Sequence, residues 1–467
     1  MKQTVNKADT QEADLKGLPG KFLRPVKVTI LGAGSFFTTQ LVNDILEIPG
    51  NQGGVIGLVD IDTKRLDTIK KFIELLAGRK GGAKWVIEAS RDRVEILKGS
   101  DYVINCIEVS GLQCVQLDHE IPAEFGVHQC IGDTIGPAGL FKALRTVPVW
   151  LEILRDVERF CPEAIVLNYT NPMNMMCLAA GRTSPLQVVG LCHSVQSTSH
   201  FLASEIYADV PYDELEWECA GINHLAWFVT LKHRGKDLYP MLKRRARKII
   251  DETPTDPTDE CDLVRKDMML HFGAFITESS GHLSEYLPYY RKRADTLKRY
   301  CRSSHSYAKF WPVKRLAQDA ERKAMLSGKM DIALRRSWEY ASWIIEAREK
   351  DSPFSIHGNV MNGVGGTSGL ITNLPGDACV EVECLVGRKG VKPLRFGALP
   401  RQMAAVCSSN ISMFDLGAQA AIELSRDTAI HALLLDPLTA AVCSPAEITD
   451  MALKMFRAQK RYLPAYR

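Results

Sequence analysis

The sequence contains no apolar run of about 18 residues or more, so it predicts no transmembrane helix. Its first segment, Met1–Pro25, is polar and rich in lysine and lacks the apolar core of a secretory signal. We expect this segment to be a flexible tail or an arm that contacts another copy of the chain. The chain shows neither an internal repeat nor a low-complexity stretch. Its net charge of +3 is too small to indicate a protein that binds nucleic acid or a membrane surface.

Close-spaced cysteines are also missing. The 13 cysteines are scattered along 467 residues. This pattern is typical of reduced thiols rather than of a disulfide framework, and it indicates a cytoplasmic protein. At roughly 150 residues per domain, the length predicts two or three domains.

A β-branched run, Val26–Leu31, stops at a glycine turn, and a helix-like stretch, Phe36–Leu46, follows. This order is the context of a dinucleotide fingerprint, because small residues let the backbone approach a pyrophosphate and the helix N-terminus offers free N–H groups. Phe37 replaces the third glycine of the fingerprint, so a purely structural turn remains an alternative. The candidate cofactor contacts here are Gly32, Gly34, Ser35 and Phe36.

The second predicted strand, Val55–Val59, ends at Asp60. An acid at this position holds a ribose hydroxyl and repels a 2′-phosphate, so the sequence favours NAD over NADP. The alternative is that Asp60 caps the next helix, although Asp62 is better placed for that role. Asn105, within the apolar run Asp101–Ile107, is a further candidate contact for the cofactor.

Strands and helices alternate up to about Cys192, which predicts an α/β fold with a Rossmann-like, doubly wound parallel sheet. We assign residues 26–192 to an NAD-binding domain and residues 193–467 to an α+β domain that binds substrate and metal. An acidic, proline-rich run at 251–262 predicts a surface loop. The second region is expected to be helical over 267–348, to form short antiparallel strands over 358–387 and to be helical again over 403–458.

Cys192 and His224 each follow a short apolar segment, which places both at strand ends that face one cleft. A thiolate and an imidazole together bind a divalent metal, and by ligand type alone zinc is favoured. Two protein ligands leave positions open for water or substrate, as in a catalytic site. The alternative is a buried thiol beside an unrelated core histidine.

Other polar residues near these ligands are candidates for substrate chemistry. Asn171 precedes a proline, where its amide either binds a hydroxyl or stabilises a turn. His193 suits the role of a general acid, because its unperturbed pKa lies near neutrality. The alternative is that it only supports a neighbouring residue by hydrogen bonding. Asp133 is a further candidate, with a turn cap as its alternative. The run Thr277–Tyr290 contains two carboxylates, a histidine and three tyrosines within 14 residues. These side chains either line the substrate site or pack in the protein interior.

Five of the motifs occur together in one order. They read G-A-G-S, I-G-D-T-I-G-P-A-G-L-F-K-A-L-R-T-V-P, N-Y-T-N-P-M-N, G-L-C-H-S-V and G-I-N-H-L. In this order and context they resemble glycoside hydrolase family 4. The resemblance continues through T-E-S-S-x-H-x-x-E-Y and covers roughly Val26–Leu463. The C-H-S-V and T-E-S-S runs are most similar to the α-galactosidase (melibiase) branch of the family.

The resemblance implies a hydrolase that depends on NAD and Mn²⁺ and departs from the usual two-carboxylate glycosidases. In such a reaction, NAD takes a hydride from C3 of the sugar and a base removes the C2 proton. The metal would stabilise the resulting enediolate, the C1 glycosidic bond would be eliminated, water would add to the product of elimination, and NADH would then return the hydride. The resemblance implies Mn²⁺ rather than zinc, because a site filled mostly by sugar oxygens suits a harder ion.

The resemblance also implies a role for each matching position. Cys192 and His224 match the metal ligands, and Asn171 matches an amide that binds the substrate. His193 lies where relatives have a general acid, and Asp133 where an acid supports the catalytic base.

The catalytic base is implied less directly by the resemblance. Tyr286 is the candidate by its spacing, with Tyr289, Tyr290 and Glu278 as alternatives. A tyrosine base needs its pKa of about 10 lowered by a nearby cation. Arg145, at the end of the second motif, is implied as another substrate contact.

The expected function is therefore an α-galactosidase that acts on a small α-glycoside. The alternatives are an α-glucosidase or α-uronidase of the same family, an NAD-dependent sugar or hydroxy-acid dehydrogenase, or a non-catalytic sensor of sugars or nucleotides. A homodimer or homotetramer is expected from the family resemblance.

Overall fold

The structure is a computed structural model that describes residues 17–80, 83–203, 210–254, 261–301, 306–363 and 369–467. Residues 1–16 of the predicted tail and residues 255–260 of the predicted loop lie outside the described residues. The rest of the predicted tail packs against the protein. Phe22 is buried, and the Leu18 N–H donates to Glu346 Oε1 at 2.7 Å.

Thirteen strands of the described residues form one continuous sheet. In chain order they are β1 Val26–Leu31, β2 Gly54–Val59, β3 Trp85–Ser90, β4 Tyr102–Asn105, β5 Ile165–Asn168, β6 Val188–Gly190, β7 Leu215–Ile222, β8 Leu225–His233, β9 Lys236–Asp237, β10 Phe275–Ile276, β11 Phe354–Met361, β12 Cys379–Gly387 and β13 Gly390–Pro393.

Helices cover both faces of the sheet and form most of the C-terminal region. They are α1 Phe37–Leu46, α2 Thr63–Lys80, α3 Arg93–Leu97, α4 Gly111–Glu124, α5 Gly136–Phe160, α6 Met173–Thr183, α7 Ser194–Phe201, α8 Tyr239–Glu252, α9 Leu263–Phe272, α10 Ser280–Glu285, α11 Ala294–Tyr300, α12 Ser306–Leu326, α13 Tyr340–Lys350, α14 Arg401–Glu423, α15 Arg426–Leu434, α16 Pro437–Val442 and α17 Pro445–Ala458. Of these described helices, none is both long enough and apolar enough to cross a membrane.

The first half of the sheet is parallel and has the strand order β3-β2-β1-β4-β5-β6. This is the order of a Rossmann fold, so the predicted doubly wound sheet is confirmed. The central strands β4 and β5 are buried along their whole length, as expected for parallel strands covered by helices on both faces.

Phe37 explains the missing third glycine of the fingerprint. That glycine ordinarily allows a helix to pack closely on the neighbouring strand. Here α1 begins at Phe37, whose ring lies edge-on to Tyr169 with the ring centres 5.0 Å apart. An aromatic contact therefore occupies the space that the glycine would leave open.

The second half of the sheet continues from β6 through β11, β12, β7 and β8 to β10, with antiparallel pairing throughout. The predicted antiparallel strands are present as β11 and β12, and β11 begins four residues before the predicted start at Gly358. Because the second region extends the sheet of the first, the two predicted domains share one sheet. A domain boundary at residue 192 stays a prediction.

Two joins of the described sheet consist of a single residue pair. Gly190 pairs β6 with Asn359 of β11, and Gly221 pairs β7 with Glu381 of β12. Strands β7 and β12 are eight and nine residues long, so most of their length is unpaired with one another. A β-bulge at Glu218 adds local twist to β7. The sheet therefore has its least backbone pairing at these two joins, one between its halves and one within the second half.

Candidate active site

The turn between β1 and α1 forms one side of the candidate site. Gly32 has a φ of +76°, and a Cβ atom there would lie 2.5 Å from the carbonyl oxygen of Cys106. Only glycine fits this position. The Gly34 N–H donates to Asp60 Oδ2 at 2.7 Å, so the turn is held against the end of β2.

The two acids that follow β2 have different roles. Asp62 Oδ1 accepts from the backbone N–H groups of Lys64 and Arg65 at 3.1 and 3.2 Å, which makes Asp62 the cap of α2. Asp60 Oδ1 accepts from the Asp62 N–H at 2.9 Å, and its other oxygen holds the glycine turn. The prediction that Asp62 caps the helix is confirmed, whereas contact between Asp60 and a ribose stays a prediction.

Helix α12 lies against the same turn, which sequence analysis did not predict. The guanidinium of Arg322 lies 5.4 Å from the centre of the Phe36 ring. Its Nη2 is 3.5 Å from the carbonyl oxygen of Ser35, to which it donates. Arg322 is separated from Ser35 by 287 residues, so local sequence spacing carries no signal of this contact.

A row of polar residues crosses the sheet at the carboxyl ends of its parallel strands. Asn105 ends β4 and Asn168 ends β5, and Asn105 Nδ2 donates to Asn168 Oδ1 at 2.8 Å. The row continues through Gly190 to Asn359 and Glu381, whose side chains approach to 3.5 Å. The four polar side chains are buried, and burial raises the pKa of Glu381 to about 8. Of these four, sequence analysis singled out only Asn105.

The structure brings both predicted metal ligands together and adds a third. Cys192 Sγ lies 3.4 Å from His224 Nε2, and the same imidazole nitrogen lies 3.4 Å from Glu278 Oε2. One candidate ligand atom from each residue lies within 4.8 Å of the others. Sequence analysis considered Glu278 only as an alternative base. Its nearness to His224 could not be inferred from a separation of 54 residues.

Two local features aim these ligands at one point. His224 and Glu278 both adopt left-handed backbone conformations, with φ values of +63° and +67°. Just before Glu278, Thr277 exchanges hydrogen bonds with Ala226: its N–H donates to Ala226 O at 2.9 Å, and its hydroxyl accepts from Ala226 N at 3.1 Å. The segment that carries Glu278 is therefore fixed beside the strand that follows His224.

A second row of polar groups leads away from Glu278. His282 Nδ1 lies 3.3 Å from Glu278 Oε1, and His282 Nε2 lies 3.4 Å from Asp133 Oδ1. Asn171 Nδ2 donates to Asp133 Oδ2 at 2.9 Å. The predicted residues Asn171 and Asp133 are thus in contact, and His282 joins them to Glu278.

Charge pairing dominates the electrostatics of this row. Burial works against the charged form of His282, but Glu278 and Asp133 outweigh it and raise its pKa well above the usual value. Burial likewise opposes ionisation of Glu278 and Asp133, yet the neighbouring histidines hold the pKa of each carboxyl below its usual range. The row is therefore a chain of alternating charges at neutral pH.

His193 lies next to Cys192 at the start of α7 but points toward solvent. Its side chain is 62% exposed, and Nδ1 lies 3.4 Å from Glu339 Oε1. The hydrogen bond to Glu339 raises the pKa of His193, so the imidazole carries a proton at neutral pH. A general acid at this position would have its proton ready and open access to a substrate.

The three candidate tyrosines differ in their surroundings. Tyr286 is buried, with its ring centre 6.4 Å from that of His224. Tyr289 is 41% exposed, and Tyr290 donates its hydroxyl proton to Asp267 Oδ2 at 2.8 Å. Tyr286 is therefore the tyrosine that lies near the metal candidates. Burial raises its pKa well above the usual value.

Glu285 fixes the loop that carries Asp133. Its carboxylate accepts from the backbone N–H groups of Cys130, Ile131 and Gly132, the last at 3.1 Å. These bonds join α10, which precedes Tyr286, to the loop before Asp133. Sequence analysis noted Glu285 in the crowded run but did not predict this role.

Arg145 is not brought to the site. Its guanidinium forms a paired contact with the carboxylate of Asp118, with Nη1 to Oδ1 at 3.1 Å and Nη2 to Oδ2 at 2.5 Å, and it also bonds to Gln459. The side chain is only 1% exposed. Its contacts tie α4, α5 and the C-terminal segment together, and they do not support the predicted contact with substrate.

The comparisons with known proteins agree with the motifs and the fold. A family model described as family 4 glycosyl hydrolase matches residues 27–207, and one described as the family 4 glycosyl hydrolase C-terminal domain matches residues 219–439. An α-galactosidase of Bacillus subtilis is 37% identical, with 94% of this chain and 100% of the relative covered. An α-galactosidase of Rhizobium meliloti is 35% identical, with 94% and 89% covered.

A solved structure supports the fold. It is a 6-phospho-α-glucosidase from gut microorganisms in complex with NAD and Mn²⁺. The TM-score is 0.77 at 21% identity, with 95% of this chain and 100% of that chain covered. Because the two family models together match most of the sequence, and the relatives cover nearly all of it, the chain belongs to glycoside hydrolase family 4.

Proposed function

We propose that this chain is an α-galactosidase that uses NAD and Mn²⁺. The observation that carries the proposal is the meeting of Cys192, His224 and Glu278 at the carboxyl edge of a Rossmann sheet. Ligands bind to such sheets beyond the carboxyl ends of the strands. The two α-galactosidase relatives, each more than a third identical, support galactose as the sugar.

The glycine turn fits a dinucleotide. A Cβ atom on Gly34 would lie 2.8 Å from Asp60 Oδ2, so the turn leaves backbone where a side chain would otherwise stand. Gly32, Gly34, Ser35 and Phe36 would border the pyrophosphate, with Asp60 at the ribose and Asn105 at the sheet edge. When bound, NAD supplies an acceptor for a hydride that is returned within the same turnover.

The donor set fits a divalent cation. Burial and the nearby Glu278 raise the pKa of Cys192 to about 11, so without a cation this thiol keeps its proton at neutral pH. A bound cation replaces such a proton, because metal ligands must be deprotonated. The carboxylate of Glu278 makes the site more oxygen-rich than sequence analysis indicated, and this favours Mn²⁺ over zinc.

The remaining residues divide into proton carriers and substrate holders. His193 is the proposed general acid for the departing glycosidic oxygen, which its raised pKa and its exposure support. Tyr286 is the proposed base, and its hydroxyl needs a neighbouring cation before it can lose a proton near neutrality. Asn171 is the proposed substrate amide. Asp133 orients that amide by accepting from it at 2.9 Å.

A panel of p-nitrophenyl α- and β-glycosides, with and without added NAD and Mn²⁺, tests this proposal. We expect hydrolysis of the α-galactoside only when both are present. Preference for an α-glucoside or an α-uronide would replace galactose by that sugar. Accumulation of NADH in proportion to substrate would show a dehydrogenase and overturn the proposal.

We also propose a reducing compartment and a homo-oligomer. The 13 cysteines are all free thiols, as in cytoplasmic proteins. On α12, Phe310, Val313 and Leu316 expose more than half of their surface at a spacing of three residues, which places them on one side of the helix. An exposed apolar stripe of this kind supports association of two or four copies. Light scattering at several concentrations tests it.

A further inference from the structure

A cavity of about 300 Å³ lies beside the candidate active site but does not include its metal candidates. Five aromatic side chains follow one another along its wall. Tyr212 stacks on His200 with ring centres 3.7 Å apart, His200 lies 5.6 Å from Trp338, and Trp338, Trp343 and Phe354 continue the series at 5.3 and 5.1 Å. These five side chains form an aromatic wall of the cavity.

The cavity lies beside the sparsely paired join of β7 and β12. Trp217 of β7, His357 of β11 and Glu383 of β12 line it beyond the single pair that joins β7 to β12. The ring centres of Trp217 on β7 and His357 on β11 lie 5.2 Å apart, although these two strands are not paired with one another. Part of the cavity wall is therefore formed where β7 and β12 are not paired with one another.

Three connections place the cavity next to the reacting groups. His193 precedes helix α7, and two residues of that helix, Gln196 and His200, line the cavity. Glu339, which pairs with His193, stands in sequence between two lining residues, Trp338 and Tyr340.

The strands provide the third connection. His357 and Glu383 are a cross-strand pair, and each lies two residues from a member of the polar row, Asn359 or Glu381. Side chains two residues apart in a strand point to the same face, about 7 Å apart. The cavity and the site therefore open on the same face of β11 and β12.

The chemistry of the cavity matches a sugar ring. Pyranose rings have apolar C–H faces that pack on aromatic rings, and hydroxyl edges that need hydrogen-bonding partners. The aromatic wall offers the first, while Gln196, Glu383 and Arg395 offer the second. Pockets of this size that combine aromatic side chains with polar groups are typical of small-molecule sites.

We propose that this cavity binds the sugar ring of the leaving group, so that the enzyme binds the sugars on both sides of the bond that it breaks. This proposal rests on the proposed glycosidase function and names the class of substrate, which is an oligosaccharide rather than a simple alkyl galactoside.

The test compares two substrates in the presence of NAD and Mn²⁺. One is an α-1,6-galactosyl-glucose disaccharide, and the other is methyl α-galactoside, whose leaving group has no ring. Trp217 and Phe396 both line the cavity. We expect Trp217→Ala and Phe396→Ala to lower kcat/KM for the disaccharide by about tenfold each, the order of effect of one lost aromatic contact with its buried area. Both variants should change kcat/KM for methyl α-galactoside less than twofold. Trp217→Phe, which keeps a ring, should recover most of the disaccharide activity.

Leu435→Ala is the control, because it removes an exposed apolar side chain that lies outside both the cavity lining and the apolar stripe of α12. It should leave the ratio of the two substrates unchanged. Equal losses for both substrates would show that the cavity residues only support the fold and would overturn the proposal. A change of oligomeric state in Trp217→Ala would show an interface between copies and would also overturn it.

Failure of the proposed function has a different signature, which is that the unaltered enzyme hydrolyses neither substrate. Binding of methyl α-glucoside, followed by tryptophan fluorescence in the unaltered protein and in Trp217→Ala, then tests the cavity alone. Saturable quenching that Trp217→Ala weakens supports a sugar site, and its absence overturns the proposal.

Discussion

The two halves of the sheet differ in how firmly their strands are joined. In the parallel half, β1 pairs with β2 over six consecutive residues. In the antiparallel half, β6 meets β11 and β7 meets β12 through one pair each. The parallel half carries the predicted dinucleotide contacts, while residues from both sides of the weak joins form the metal cluster. Continuous strand pairing thus supports the predicted dinucleotide contacts, whereas the metal cluster lies where strand pairing is interrupted.

The largest expected effect comes from removing the thiol that ends the parallel half. Cys192→Ser should lower hydrolysis by about a thousandfold or more, because the cation loses a principal ligand. Mn²⁺ binding, measured by isothermal titration calorimetry, should weaken strongly while NAD binding stays nearly unchanged. Cys261→Ser, a half-buried cysteine outside the cluster, is the control. Full activity in Cys192→Ser would remove this residue from the site.

A smaller effect is expected from the ligand contributed by the other half. Glu278→Gln keeps the shape of the side chain but removes its charge, so Mn²⁺ affinity should fall by about 10- to 100-fold. NAD affinity should not change. Unaltered Mn²⁺ affinity would show that Glu278 is not a metal ligand and interacts only with the neighbouring histidines. The cation would then have two protein ligands.

Asp60 tests the parallel half by itself. Asp60→Ala should raise the dissociation constant for NAD by about tenfold, since it removes a charged acceptor worth about 1.5 kcal/mol. Mn²⁺ affinity should remain the same. Asp62→Ala, which removes only the helix cap, is the control and should lower thermal stability without changing NAD affinity. Equal effects of the two variants on NAD would contradict a specific contact with Asp60.

The smallest effect concerns Asp44, which links the halves. Its carboxylate, on α1, accepts from the Ser337 N–H at 3.0 Å and from Gln40 at 2.6 Å. Burial raises its pKa from 3.8 to about 6. The folded state therefore holds a proton that the unfolded state releases between these values, so ionisation lowers stability as pH rises from about 4 to 6. Urea unfolding across this range should show a steeper decline for the native sequence than for Asp44→Asn, and identical slopes would contradict the assignment.

The same contrast explains what sequence could predict. In the parallel half, each strand, turn and helix is encoded within about thirty residues, so Val26–Leu31, the glycine turn and Asp60 were placed correctly. The contact between Cys192 and His224 was also predicted, because each follows a strand.

Other features depend on pairings across long stretches of chain. The position of Glu381 in the polar row follows from how β12 pairs with both β11 and β7. Arg145 shows the opposite failure. Its motif resembles that of the family, but the motif does not reveal that Asp118 and Gln459 already occupy its guanidinium. Resemblance transfers positions, whereas contacts depend on the neighbours that the fold supplies.

The single pair between Gly221 and Glu381 has a consequence for thermodynamics. The cavity beside this pair is already formed in the fold, so we expect little additional chain to become ordered when a sugar fills it. Calorimetry of saccharide uptake there should show a modest entropic cost and a heat-capacity change set by the rings that become covered. The shape of the cavity walls, rather than a rearrangement of the backbone, would then determine which saccharides bind.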